Sequence, residues 1–185
     1  MKSYKALNKQ FFESGIYSIV PIRFEDRLNI MNWRNEQIHH LRQDMPLTIE
    51  NQNIYFNTII SNLFDQEQPD QILFSFLENE NLIGYGGLVH INWIDMHSEI
   101  SFVMKTSLET KFFKKYWILF LKLIEVVAFD ELSLVKIFTY AYDLRPKVYE
   151  ALEEIDFKVE ARLVRHKRIN DKFIDIIIHS KLNNK

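Results

Sequence analysis

The chain of 185 residues contains no cysteine and only four glycines and four prolines. Without cysteine there is no disulfide, no thiolate nucleophile and no cysteine-based metal site. The histidines show no ligand spacing that would stand in for one, so no metal is expected. Scarce glycine and proline leave no linker, repeat or low-complexity tract, which implies one domain over residues 1–185 with residues 1–16 as an N-terminal extension. No run approaches 18 apolar residues, so no membrane span is expected. Met1 to Lys5 is polar with no apolar signal core behind it, and a cytoplasmic protein is the default expectation. The formal net charge of −2 lacks the basic excess of a general nucleic-acid binder.

What is present suits a packed globular domain. The chain is 47% hydrophobic and 26% charged, and its 15 Phe and eight Tyr foretell an aromatic core. Tyr17 to Ile22 reads as a first strand. Arg23 to Asn35 and Ile49 to Phe64 read as amphipathic helices, the second capped by Thr48. Gln71–Glu78, Leu82–Ile91 and Glu99–Met104 read as an antiparallel meander. Gly84, Gly86 and Gly87 inside the middle strand mark a bulge or the close approach of another backbone or a ligand. Lys105 to Lys111 reads as a loop, followed by a helix from Phe112 to Leu132 with Trp117, Leu121, Ile124 and Ala128 at helical spacing. A strand at Val135–Ala141, a short helix at Lys147–Glu154 and a hairpin of Phe157–Lys167 with Lys172–Ser180 complete the order β-α-α-β-β-β-α-β-α-β-β.

Particular segments in this order resemble one family. They are Trp33-Arg34-Asn35, Ile83-Gly84-Tyr85-Gly86-Gly87-Leu88, Glu99-Ile100-Ser101-Phe102-Val103 and Ala128-Phe129-Asp130-Glu131-Leu132. Val148-Tyr149-Glu150 with Phe157, and Asn170-Asp171-Lys172-Phe173-Ile174-Asp175, complete the set. Over about residues 17–182 the chain resembles the GNAT superfamily of acetyl-CoA-dependent N-acetyltransferases. The nearest branch includes ribosomal-protein acetyltransferases of the RimJ/RimL kind and bacterial amino-sugar acetyltransferases. The resemblance implies an α/β (α+β) fold: a twisted, mixed, mostly antiparallel sheet of about seven strands flanked by about four helices. It implies acetyl-CoA as co-substrate and a small-molecule amine as acceptor, an amino sugar or nucleotide-linked amino sugar in the first instance. A protein N-terminal acetyltransferase and a non-catalytic binding protein are the alternatives. A monomer or homodimer is expected.

One stretch departs from the family pattern. The usual Q/R-x-x-G-x-G/A loop aligns with Phe112-Phe113-Lys114-Lys115-Tyr116-Trp117, which retains none of those residues. Glycine permits close backbone approach to a phosphate, and lysine supplies only a point charge.

Acetyl transfer needs an amine stripped of a proton, a polarised thioester oxygen and a proton or tolerance for the departing thiolate. The resemblance implies Glu99 as base, against the plainer reading of a hairpin salt bridge. It implies Tyr149 as proton donor to the sulfur, against a packed aromatic. Phe102, Val103 and Met104 would pair their backbone with the pantetheine arm. Lys111, Lys114 and Lys115 would meet the phosphates, with Tyr142 nearby. Trp33, Arg34, His39, His90 and Trp93 are the candidates for the acceptor site, and His40, Arg42, Tyr140, Arg145 and Arg162 are possible neighbours of it.

Overall fold

The computed structural model describes residues 2–184. In chain order the elements are β1 (Phe12–Ser14), β2 (Tyr17–Pro21), α1 (Arg27–Glu36), α2 (Ile49–Tyr55), α3 (Ser61–Leu63), β3 (Ile72–Glu78), β4 (Asn81–Asn92) and β5 (His97–Met104). They continue with α4 (Thr106–Glu125), β6 (Lys136–Tyr142), α5 (Pro146–Glu154), β7 (Lys158–Ile169) and β8 (Lys172–Leu182). A π-helical turn, Phe56–Ile60, joins α2 to α3, and another, Val126–Glu131, extends α4. No helix among the described residues is long and apolar enough to cross a membrane.

The eight strands form one sheet in the order β1-β2-β3-β4-β5-β6-β8-β7. All neighbours are antiparallel except β5 and β6, which run parallel. Their pairing covers only His97–Glu99 against Lys136–Phe138. Beyond it β5 continues to Met104 and β6 to Tyr142 without pairing to each other, and a cleft opens between them.

Period-two alternation assigns the two sheet faces. Phe102 stacks on Phe120 of α4 at 4.1 Å, and Phe76 meets Tyr116 and Phe120 edge-on. That face is the aromatic core that the composition foretold. Tyr85, one residue out of phase, turns to the opposite face and meets Arg34 of α1. Gly86 and Gly87 are close-approach positions: a Cβ on Gly86 would collide with the Ser101 carbonyl oxygen, and one on Gly87 with that of Ile72. The visitor is neighbouring backbone, not a ligand.

Two expectations need correction. The sheet has eight strands, not about seven, because β1 adds an edge pair to β2. Lys105–Lys111 is not a loop: the helix starts at Thr106, two residues past β5, so most of that stretch forms the opening turns of α4. The N-terminal segment is tied to the sheet, since the buried Tyr4 hydroxyl donates to the Leu73 carbonyl at 2.8 Å and accepts from the Leu73 N–H at 3.0 Å.

Two substitutions test this packing with opposite signs. Gly86→Ala is expected to cost about 1–3 kcal/mol by forcing β4 off β5. Asp156 ends α5 at φ +69°, a conformation that favours glycine. Asp156→Gly is expected to gain up to about 1 kcal/mol. Urea unfolding of both variants reads the result.

Candidate active site

The cleft between β5 and β6 leads into a cavity of about 1050 Å³ on the α1–α2 side of the sheet. Glu99 is the last β5 residue paired with β6, so its carboxylate sits where the strands part. It is 6% exposed and lines the cavity. Arg42, from the segment between α1 and α2, donates to its Oε1. The Arg42 guanidinium lies 5.0 Å from the centroid of the Tyr140 ring. His90 Nε2 stands 4.0 Å from Glu99 Oε2. A register shift between Val89 and Asn92 puts His90 at φ +51°, at the rim of the cavity with its side chain largely exposed. Burial pushes the Glu99 carboxyl above its ordinary range, and Arg42 and then His90 pull it partly back.

One wall of the cavity is built from α1. Trp33 is buried in the core, which turns Arg34, about 100° further round the helix, toward the cavity. Arg34 Nη1 donates to the Tyr85 hydroxyl at 2.8 Å and Nε to Gln43 Oε1 at 2.9 Å. Asn35 clamps the following segment: its Oδ1 accepts from Leu47 N–H at 2.7 Å and Gln43 Nε2 at 3.0 Å, and its Nδ2 donates to the Leu47 carbonyl. The Tyr55 hydroxyl donates to Gln71 Oε1 on the far wall.

The other side of the cleft is the unpaired β5 edge from Ile100 to Met104, about 16 Å of extended backbone. Gln37, buried at the end of α1, donates to the Met104 carbonyl at 2.8 Å and leaves its own Oε1 without a partner. Thr139 Oγ1, on β6 just past the parting, is buried and unpartnered too. Arg145 crosses the cleft beyond them. It donates to Glu109 in the first turns of α4 and to His40 Nε2 at 2.8 Å, and lies 4.7 Å from the Phe113 ring centroid. Burial and then the Arg145 charge bring the His40 imidazole down to about 3, so it stays neutral as an acceptor.

Of the sequence candidates, Glu99, Arg34, His90, Phe102 and Tyr142 line this cavity. His40, Arg42, Tyr140 and Arg145, named as possible neighbours, line it as well, and Arg162 and the remaining candidates do not. Trp33 is core, and Val103 and Met104 are buried without lining the cavity. His39 is exposed, and its neighbour His40 takes the lining position. Trp93 donates to the Pro69 carbonyl and packs against the core. Lys111, Lys114 and Lys115 surround a separate depression with Tyr17 and Glu154, and Lys114 is tied to Glu154 at 2.6 Å. Tyr149 stacks on His179 of β8 and donates its hydroxyl to Asp143 at 3.0 Å. Burial and Asp143 hold that proton more tightly than in a free phenol, the wrong direction for an acid. Gln37, Gln43, Glu109 and Thr139 join the site without having been singled out, as do Asn35 and Tyr85, which had been noted only as parts of segments that carry the resemblance. Among the described residues, no group of three or more His, Asp or Glu converges as a metal site.

Residues 19–178 match the family described as "Acetyltransferase (GNAT) domain". Among curated proteins nothing matches the chain. Among solved structures, the spermidine N-acetyltransferase from Vibrio cholerae in complex with CoA and spermine is 21% identical with a TM-score of 0.78, covering 93% of this chain and 98% of that one. The dodecameric form of the V. cholerae enzyme is 22% identical at TM-score 0.73, covering 92% and 95%. At such identities the likeness establishes the fold.

Because the folded Glu99 carboxyl titrates above its unfolded value of about 4.3, stability falls as pH rises from that value through the folded one and is level above. Arg42→Gln removes the main stabiliser of the charged form. It is expected to raise the Glu99 pKa and to extend this decline to higher pH. Carboxyl NMR titration and urea unfolding against pH check both effects, and an unmoved Glu99 titration refutes the coupling.

Proposed function

The chain belongs to the GNAT acetyltransferase family, N-acetyltransferases that take the acetyl group from acetyl-CoA, and on that premise we propose that Glu99 deprotonates the primary amine of a small acceptor held in the cavity. One observation carries this reading. Glu99 is the only carboxylate among the described residues at the parting of β5 and β6, with the cavity on one side and the free β5 edge on the other.

The residues present fit the donor along that edge. An extended arm bearing amide groups would add to β5 as a further strand. The unmet Gln37 Oε1 and Thr139 Oγ1 are the buried polar groups at its two ends that lack a partner. Acetyl-CoA supplies the activated acyl group. Glu99, raised by burial yet held ionisable by Arg42, accepts the proton the amine must lose. Backbone N–H groups of the β5 edge are the available donors toward a developing oxyanion. The departing thiolate receives no help from Tyr149 in this arrangement, because its proton is committed to Asp143.

For the acceptor we favour an amino sugar or a nucleotide-linked amino sugar. Support comes from the polar groups on the cavity wall, Tyr55, Tyr85, Gln52, Gln71 and Arg34, interleaved with Ile22, Leu47 and Phe56. Such a lining suits a hydroxyl-rich ring, and the volume exceeds that of a single sugar. The V. cholerae structures are of an enzyme named for spermidine. The carboxylates lining this cavity are Glu99, which the reading above assigns to the reacting amine, and Asp70, a sparse set for the further cationic centres of a polyamine.

Acetyl-CoA at 100 times its Kd should stabilise the protein by about 2.7 kcal/mol, read as a thermal shift. Glu99→Gln is expected to lower kcat by about 10²–10⁴-fold while leaving that shift in place. A rate within a few-fold of wild type would move the base elsewhere. No shift at millimolar acetyl-CoA would sink the donor-edge reading.

A further inference from the structure

We infer that Arg34 binds an anionic group of the acceptor, so that the acceptor is an amine that also carries phosphate. The inference rests on the acetyl-transfer reading for the amine and extends it to the opposite end of the molecule.

Arg34 differs from the other half-buried arginines around the cavity. Arg42 is neutralised by Glu99, and Arg145 by Glu109. Arg34 has no ion pair among the described residues. Its partners, the Tyr85 hydroxyl and the Gln43 amide oxygen, are neutral, and they engage only Nη1 and Nε. Nη2 has no acceptor among the described residues, and the side chain lines the cavity. Withdrawing a cation from water without a counter-charge is costly. A protein that holds one so, facing a cavity, has left the counter-charge to a ligand.

The group is also held in place. Nε is fixed by Gln43, Gln43 by Asn35, and Asn35 by both backbone groups of Leu47. Immobilising a guanidinium beforehand removes the entropy cost of recruiting it, and its planar fork matches phosphate oxygens. Arg42 and Arg145 are matched by Glu99 and Glu109, which leaves Arg34 as the arginine of the cavity wall without a carboxylate partner among the described residues. With the amine delivered at Glu99 and phosphate at Arg34, the acceptor has opposite charges at its two ends.

The test is calorimetric titration of CoA-saturated protein, so that phosphate sites used by CoA are filled. The probes are glucosamine, glucosamine 6-phosphate, UDP-glucosamine and spermidine. At least one phosphorylated amine is expected to bind tenfold or more tightly than glucosamine. Glucosamine 6-phosphate binding as well as UDP-glucosamine identifies a sugar phosphate, and UDP-glucosamine alone a nucleotide-linked sugar. Arg34→Gln should abolish the preference with CoA affinity unchanged. Arg34→Lys should retain part of it, and Tyr85→Phe, which keeps the charge, should weaken it less than Arg34→Gln. The inference is overturned if spermidine or glucosamine binds as tightly as the phosphorylated amines. Loss of the preference in none of the variants, or no binding of either phosphorylated amine at millimolar concentration, overturns it too. Those outcomes leave acetyl transfer standing, which fails separately through loss of the acetyl-CoA thermal shift.

Discussion

Everything in the site depends on how briefly β5 and β6 are paired. A parallel pair joined by a crossover helix is ordinarily buried on both faces and fully bonded. Here the ladder stops after Glu99 and Phe138, and two strands that could have continued together diverge. A row of backbone groups on β5 is thereby left open inside the molecule. Open backbone is tolerable there only if something satisfies it. Gln37 caps the far end at Met104, and the remainder is a template one strand wide. The carboxylate at the apex is desolvated by the same divergence, since the parting strands leave it between packed layers.

Charge management follows from that geometry. The fold gathers three arginines round a cavity and gives two of them carboxylates. Arg42 does two things to Glu99: it keeps a buried acid ionisable, and it holds the carboxylate in one orientation. His40, kept neutral beside Arg145, contributes an acceptor without adding charge. The α1 triplet divides its labour by helical phase, with Trp33 in the core, Arg34 at the cavity and Asn35 as the clamp on the next segment. One short stretch thus couples core packing to the orientation of a site residue.

Those features were legible in unequal measure. The meander and the strand glycines could be read because hydrophobic period and residue type determine them locally. The Trp33-Arg34-Asn35 segment and Glu99 were legible only through the family resemblance, and the strand that carries Glu99 starts earlier, at His97. The lysines were misplaced for a physical reason. With Thr106 opening α4, the phase of 100° per residue turns Phe113 and Trp117 toward the core and cleft and carries Lys111, Lys114 and Lys115 round to Tyr17 and Glu154. His90 against His39 was undecidable locally, because a bulge and a single 3-10 turn, Ile38–His40, set their directions. Arg145 meets Glu109, and Gln37 meets Met104 and Thr106, across long sequence separations, and no periodicity encodes such meetings. Tyr4 looked like a terminal residue because its partner, Leu73, lies on another strand.

The missing glycines acquire a structural account on these terms. A glycine-rich loop shapes backbone around an anion, and such a loop needs residues between strand and helix. This chain has only Lys105 there, so nothing is left to shape. The first turns of α4 instead present their N–H groups as part of a regular helix, with Glu109 near the positive end of its dipole. A carboxylate so placed gains about 0.3–1 kcal/mol, a small hold. Its other tie is Arg145, which also donates to His40, so that a carboxylate, a guanidinium and a neutral imidazole close the mouth of the cleft at the first turn of α4. The lysines of α4 do not reach this position, because the helical phase carries them to Tyr17 and Glu154.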